Sequence, residues 1–359
     1  MTHLEKFQKR LQGVADAALI TGEKNRFYLC NFPYSDGYLL IFTDCAYLLT
    51  DFRYEEAARR EASEEFTVLS PATGILSAAA DLLRERGVKT LLLEENEVTL
   101  SGRSRLAARF EEVTLLEGAS EILTVLRRQK DAREIAAIRT AQEITDAAFT
   151  HILDFIHAGR TEREIALELE FFMRRNGAEG VAFDTIAVSG SLSAVPHGVP
   201  RDCVLEKGFL TMDFGARYGG YCADMTRTVC IGHADGEMRR LYDTVLQAQR
   251  AALGAIRGGM PCREMDKIAR DIIHGAGYVG CFGHSLGHGV GLDVHESPSL
   301  SARAPEEMLL APGHVVSVEP GIYISGKYGC RIEDLVVIGE DNAPIDLTQS
   351  DKELIEICR

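Results

Sequence analysis

Two aspartates, one histidine and two glutamates stand in short, apolar, glycine-flanked segments of the C-terminal half. They are Asp213 and Asp224 in LTMDFGARYGGYCADMTRT, His288 in HSLGHGVGLDVHE, Glu319 in VVSVEPGIY and Glu333 in GCRIEDLVV. Four carboxylates and one imidazole form an oxygen-rich donor set of the kind that holds a pair of divalent cations. An ionised carboxylate in an apolar strand is costly unless it is paired, hydrogen-bonded or on a metal. If the five converge, they can hold metal ions that activate water for hydrolysis.

The elements that must bring them together are legible. Asp213 and Asp224 flank Arg217-Tyr218-Gly219-Gly220, a tight-turn signal. With Gly219-Gly220 as the loop, Asp224 faces Gly215. With Tyr218-Gly219 as the loop, Asp224 faces Asp213 directly. Strand side chains alternate with period two, so either register puts both carboxylates on one face. Such a like-charge pair is destabilising unless a cation lies between the two. Glu319 and Glu333 each abut a buried-looking strand, Val315–Val318 and Leu335–Ile338, on either side of a polar turn near Ser325-Gly326-Lys327. Arg331 shares a strand face with Glu333, where its guanidinium can orient that carboxylate or a substrate. His284, His288 and His295 crowd into one glycine-rich segment whose glycines allow close backbone approach. His197 lies on a separate loop, in SAVPHG.

The chain has 359 residues, which leads us to expect two domains. Strands read at 17–21, 37–42, 46–49 and 90–94 alternate with helices at 55–62, 75–86 and 102–110, giving an α/β domain over residues 1–125. A long, charge-dense helical stretch from Ser120 to His157 then carries the junction, at Arg127–Asp131, into an α+β domain over 126–359. Thr161 and Glu164 form a capping box, and Asn176-Gly177 closes that helix. Two further helices are read over 237–255 and 262–276.

Lys plus Arg number 39 against 54 Asp plus Glu, a formal charge of −15, which argues against a nucleic-acid partner. No apolar run reaches the roughly 18 residues a membrane span needs, and no membrane partner is expected. Nine scattered cysteines without a CxxC read as reduced thiols, and the cytoplasm is the expected location.

In order and spacing, FDTIAVSGSLSAVPHG, TMDFGARYGGYCADMTRT, GHSLGHGVGLDVHESP, VVSVEPGIYI and GCRIEDLVVI resemble the aminopeptidase P / prolidase family of dinuclear metallopeptidases. TDFRYEEA resembles the short bacterial branch. The resemblance implies a creatinase/prolidase-type, RNase H-like N-terminal α/β domain and an α+β pita-bread catalytic domain. It implies that Asp213 binds one metal, that Asp224 and Glu333 bridge both, and that His288 and Glu319 complete the second site. Glu319 would also accept the proton of the attacking water. His197, His284 and His295 fall where the family keeps substrate-binding or proton-shuttling histidines, and Arg331 on the arginine two before the bridging glutamate. Two divalent ions per subunit are implied, Mn²⁺ first, with Co²⁺ or Zn²⁺ as alternatives. The implied reaction is hydrolysis of Xaa-Pro bonds in proline-containing peptides, by an aminopeptidase ahead of a dipeptidase or a non-catalytic peptide-binding relative. A homodimer is implied as well, with Arg53 or Tyr54 near a partner's site.

Overall fold

A computed structural model describes residues 1–157 and 159–358, which divide into two compact units, Met1–Arg127 and Arg128–Arg359. The first opens with α1 (His3–Leu11), whose Thr2 and Glu5 form a capping box. It then runs β1 (Ala17–Ile20), α2 (Glu23–Cys30), β2 (Gly37–Phe42), β3 (Ala46–Thr50), α3 (Phe52–Glu61), β4 (Phe66–Leu69), α4 (Ile75–Glu85), β5 (Thr90–Leu93), α5 (Leu100–Arg109) and β6 (Thr114–Glu117). The strands form one mixed sheet in the order β4-β3-β2-β1-β5-β6. Every residue of β1 is buried, as expected of a strand covered on both faces. One face packs Leu19, Leu40, Leu49, Leu91 and Leu93 under Ala79 and Leu83 of α4 and Leu106 of α5.

The helical stretch read from Ser120 is two helices, α6 (Ala119–Arg128) and α7 (Ala132–Phe155), separated within the Arg127–Asp131 junction. The break falls where Asp131 caps α7: its side chain accepts from the Glu134 N–H while the Glu134 carboxylate accepts from the Asp131 N–H. A local cap overrides helical composition here.

The second unit continues with α8 (Glu162–Arg175), opened by the Thr161–Glu164 capping box. There follow β7 (Gly180–Val181), β8 (Ile186–Ser189), a 3₁₀ turn over Gly190–Ala194, β9 (Gly208–Phe214), β10 (Ala216–Tyr218), β11 (Tyr221–Cys222) and β12 (Met225–Ile231). Next come α9 (Gly236–Ala255), α10 (Cys262–Gly275), β13 (Gly287–Gly289), β14 (Glu296–Leu300), β15 (Val315–Val318), β16 (Gly321–Ile324), β17 (Tyr328–Arg331), β18 (Asp334–Ile338), β19 (Pro344–Asp346) and β20 (Glu356–Ile357). Two helix-backed sheets result, β20-β12-β9-β8 and β14-β13-β15-β18-β19. The first packs Leu210, Met212 and Met225 against α7 and α8. The second packs Val316, Val318 and Val336 with α9 and α10.

The sequence shows no short-period repeat, yet the two helix pairs echo each other. Ile156 and Ile256 end α7 and α9 in extended conformation, and Thr161 and Pro261, each in an isolated β-bridge, open α8 and α10. No helix among the described residues is long and apolar enough to cross a membrane.

Candidate metal centre

The hairpin that carries Asp213 and Asp224 adopts the first of the two registers. Tyr218 pairs with Tyr221 and Arg217 with Cys222, so Gly219-Gly220 is the loop, and both glycines take positive φ. Asp213 pairs with Thr226 in the same register, which leaves Asp224 across from Gly215 at a gap in the ladder. The gap is where the strands press closest. A Cβ on Gly215 would lie 1.9 Å from the Ala223 carbonyl oxygen, so only glycine fits.

Glu319 and Glu333 lie at a second gap of the same kind. Val318 pairs with Asp334 on one side of it and Gly321 with Arg331 on the other. The interrupted backbone groups pair elsewhere: the Glu319 N–H donates to Leu286 O at 2.8 Å and the Glu333 N–H to Thr226 O at 3.1 Å. The second of these bonds ties the two hairpins together. His288 comes from β13, wedged between β14 and β15. Here a Cβ on Gly287 would lie 2.0 Å from Ser317 O, which accounts for the glycine beside the histidine.

All nine side chains singled out by their chemistry (His197, Asp213, Asp224, His284, His288, His295, Glu319, Arg331 and Glu333) line one cavity of about 450 Å³. Ligand atoms of Asp224, His288 and Glu333 lie within 4.8 Å of one another. The His288 Nδ1–H donates to its neighbour's carbonyl, Gly289 O, at 3.2 Å. That contact turns Nε2 inward, 3.1 Å from Glu319 Oε1 and 3.6 Å from Asp224 Oδ2. A backbone carbonyl that fixes the imidazole tautomer in this way is a common support for a metal-ligating histidine.

Arg331 does not pair with Glu333, as its strand position led us to expect. β17 ends at Arg331, and the side chain crosses to the other hairpin, where Nη2 donates to Asp213 Oδ2. Its Nε donates to Thr226 Oγ1 at 2.8 Å, and that hydroxyl lies 2.7 Å from Glu333 Oε2. Its Nη1 donates to the Tyr323 hydroxyl at 2.8 Å, which is 2.9 Å from His284 Nε2. The His284 Nδ1 faces Ser285 O at 2.8 Å and must carry a proton there, so Nε2 accepts from Tyr323.

Burial, followed by the charges of neighbouring carboxylates, raises Asp224 and Glu333 well above the ordinary carboxyl range. Burial also raises Asp213, against the pull of Arg331. Glu319 goes the other way: burial is outweighed by the hydrogen bond and charge of His288 and by the positive charge of Arg331, which hold it at about 2. Burial lowers His284; partial desolvation at the cavity rim, followed by the charge of His288, lowers His295. Two buried oxygens of the site, Asp213 Oδ1 and Glu333 Oε1, have no hydrogen-bond partner among the described residues. Orphaned acceptors beside four carboxylates and a single guanidinium suit divalent cations, whose charge would satisfy both deficits.

Thr226 and Tyr323 escaped the reading of the sequence, although both touch site residues. Thr226 could have been found, since it shares the strand face of Asp224 by period two. Nothing marked Tyr323, and Phe183, Asp184, Ile186 and Val294 enter the cavity wall only through tertiary packing.

Comparison with known proteins fits this geometry. Residues 136–340 match metallopeptidase family M24, and residues 3–129 match the creatinase/prolidase N-terminal domain. The Bacillus subtilis peptidase YqhT is 42% identical over 341 residues, 95% of each chain. A solved Xaa-Pro dipeptidase from Bacillus anthracis superposes with a TM-score of 0.94 at 40% identity, covering 99% of both chains. An X-Pro aminopeptidase from Thermotoga maritima gives 0.91 at 39% identity, covering 98% of this chain and 99% of its own. The pita-bread catalytic fold behind a creatinase/prolidase N-terminal domain is therefore as expected. The chain belongs to metallopeptidase family M24.

Proposed function

We propose that this chain is an exopeptidase that hydrolyses Xaa-Pro peptide bonds at a dinuclear centre. Asp213 and the bridging pair Asp224 and Glu333 would hold one ion, and the same pair with His288 and Glu319 the other. The observation that carries the reading is the pair of orphaned buried oxygens, Asp213 Oδ1 and Glu333 Oε1, in a cavity lined by all five ligand residues. Two divalent ions bound there would supply Lewis acidity that lowers the pKa of water and polarises a peptide carbonyl.

The side chains supply the rest. Glu319, held ionised, accepts a proton from the attacking water and can pass it to the leaving imino nitrogen. His295 is exposed and stacks edge-on to His288 with ring centroids 4.1 Å apart, in position to donate to the carbonyl oxygen as negative charge develops there. His197, exposed on its own loop, meets the proline side of the substrate. His284, fixed by Tyr323 and Ser285, is a proton-shuttling partner of the substrate. Arg331 holds Asp213 in place.

An aminopeptidase acting on longer Xaa-Pro peptides is the first reading. Arg331 is the one Lys or Arg among the described cavity-lining residues, and it is committed to Asp213, Thr226 and Tyr323. A dipeptidase needs a cationic partner for the substrate's terminal carboxylate. The dipeptidase reading draws on the name of the Bacillus anthracis neighbour and on three cavity histidines able to meet a carboxylate. Turnover of Xaa-Pro against Xaa-Pro-Yaa with Mn²⁺, before and after chelation, separates the two. Equal activity after complete chelation would remove the metal from the mechanism. Mn²⁺ is our first choice of ion, ahead of Co²⁺ or Zn²⁺, because four of the five ligands are carboxylates. We also read the protein as a cytoplasmic homodimer, to be checked by light scattering and fractionation.

A further inference from the structure

We infer that Thr226 is a positioning residue for the metal centre: its hydroxyl fixes one oxygen of Glu333 so that the other is presented to the ions. The inference rests on the two-metal reading above. Thr226 is fully buried on β12, and its Oγ1 has two side-chain neighbours, Arg331 Nε at 2.8 Å and Glu333 Oε2 at 2.7 Å. A guanidinium has only donors, so Arg331 gives its proton to Oγ1. With a cation bound, Glu333 is ionised and has only acceptors, so the hydroxyl proton then goes to Glu333 Oε2. The direction of both bonds is thereby set, and the hydroxyl cannot rotate away without leaving a buried charge unpaired.

The second oxygen of the same carboxylate, Glu333 Oε1, is buried and has no hydrogen-bond partner among the described residues. The hydroxyl fixes the plane of the carboxylate while taking one lone pair of Oε2, which leaves a further lone pair there and the whole of Oε1 for cations. Backbone geometry reinforces it. The Glu333 N–H donates to Thr226 O, and Thr226 pairs with Asp213 across the ladder, so the Thr226 backbone ties together the strands that carry Asp213 and Glu333.

The fold also contains a built-in control two residues along. Thr228, on the same strand face and equally buried, directs its hydroxyl to the Arg331 backbone carbonyl at 3.0 Å and lies 3.1 Å from the Thr211 hydroxyl. It contacts no carboxylate of the site. Thr228 Oγ1 also accepts from the Arg331 N–H at 3.3 Å, so loss of its hydroxyl probes strand packing and the Arg331 backbone, whereas loss of the Thr226 hydroxyl removes in addition a direct contact to a ligand carboxylate.

The test is Mn²⁺ binding by calorimetry to full-length, chelator-stripped wild type, Thr226→Val, Thr226→Ser and Thr228→Val, with melting temperatures of the metal-free proteins recorded alongside. Thr226→Val is expected to weaken Mn²⁺ binding by about 10–100-fold, the usual effect of losing a partner of a metal ligand. Thr226→Ser should restore affinity to within about threefold. Thr228→Val should lower the metal-free melting temperature with affinity near wild type. Thr226→Ala repeats the comparison without the added methyl, should valine not be accommodated. Wild-type affinity in Thr226→Val and Thr226→Ala, or an equal loss in Thr228→Val, overturns the inference while the metal centre stands. If wild type itself takes up no Mn²⁺, the two-metal reading falls and the inference with it.

Discussion

Glu319 and Glu333 face one another across a break in a single hairpin, with Val318 paired to Asp334 below the break and Gly321 to Arg331 above it. Asp224 and Gly215 occupy the equivalent gap in the other hairpin. In both places strand pairing is given up where the carboxylates stand, and pairing resumes beyond in the same register. The rigid ladders on either side hold the ligands, which is how a strand-built site achieves precision without a loop.

Asp224→Asn and Glu333→Gln should each abolish metal binding and cut turnover on the order of 1,000-fold, with the fold intact. Stripped of metal, both variants should melt at or above stripped wild type, because each replaces a buried acid that burial and neighbouring carboxylates force to take up a proton on folding. Calorimetry of the three stripped proteins checks this. Near-normal turnover in either variant under rigorous chelation would sink the assignment.

Tyr323→Phe removes the hydroxyl that receives the Arg331 proton and donates to His284. We expect kcat/KM to fall roughly 10–100-fold, the scale of losing an orienting partner, with Mn²⁺ affinity much less affected. Steady-state kinetics alongside metal titration separate the two effects. Unchanged kinetics would show that His284 needs no fixed orientation.

Gly215→Ala forces a Cβ against the Ala223 carbonyl oxygen at 1.9 Å, a backbone atom that cannot swing aside. The cost should be about 3 kcal/mol, enough to lower the melting temperature by roughly 10 °C. Because the clash lies between Asp213 and Asp224, metal affinity should fall with it. A thermal melt within about 2 °C of wild type would contradict the close approach.

His314 is buried, and its Nδ1 accepts from the Ala311 N–H at 3.2 Å. Burial, with Lys130 and Arg128 nearby, pushes its pKa down to about 4. The unfolded chain protonates near 6.5, so between pH 6.5 and 4 the unfolded state binds more protons and stability falls as pH falls. The contribution is fully present above about pH 6.5, and up to about 3 kcal/mol is lost by pH 4. Denaturant melts of chelated wild type and His314→Gln across that window should show a shallower pH slope in the variant. Identical slopes would place the acid sensitivity elsewhere.

Much of the site was legible because its signals are local. Strand alternation put Asp213 and Asp224 on one face in either register, and the apolar runs around Glu319 and Glu333 made solvated acids implausible. Caps at Thr161 and turns at Gly219-Gly220 depend on neighbouring residues alone, so they too could be read in advance. The helical stretch is interrupted within the Arg127–Asp131 junction, and what composition did not show is the cap itself, which rests on two specific hydrogen bonds.

What the sequence determined by itself was the donor set, its order and the elements that carry it. Only the tertiary structure decided which hairpin register is used, that Arg331 reaches Asp213, and that Thr226 and Tyr323 join the site. The Arg331 contacts to Asp213 and Thr226 join residues more than a hundred positions apart, and the Arg331–Tyr323 contact, eight positions apart, depends on where the side chain turns at the end of its strand. Periodicity fixes the face a side chain occupies, but not which distant strand lies opposite it. That choice is made by the packing of the two helix-backed sheets.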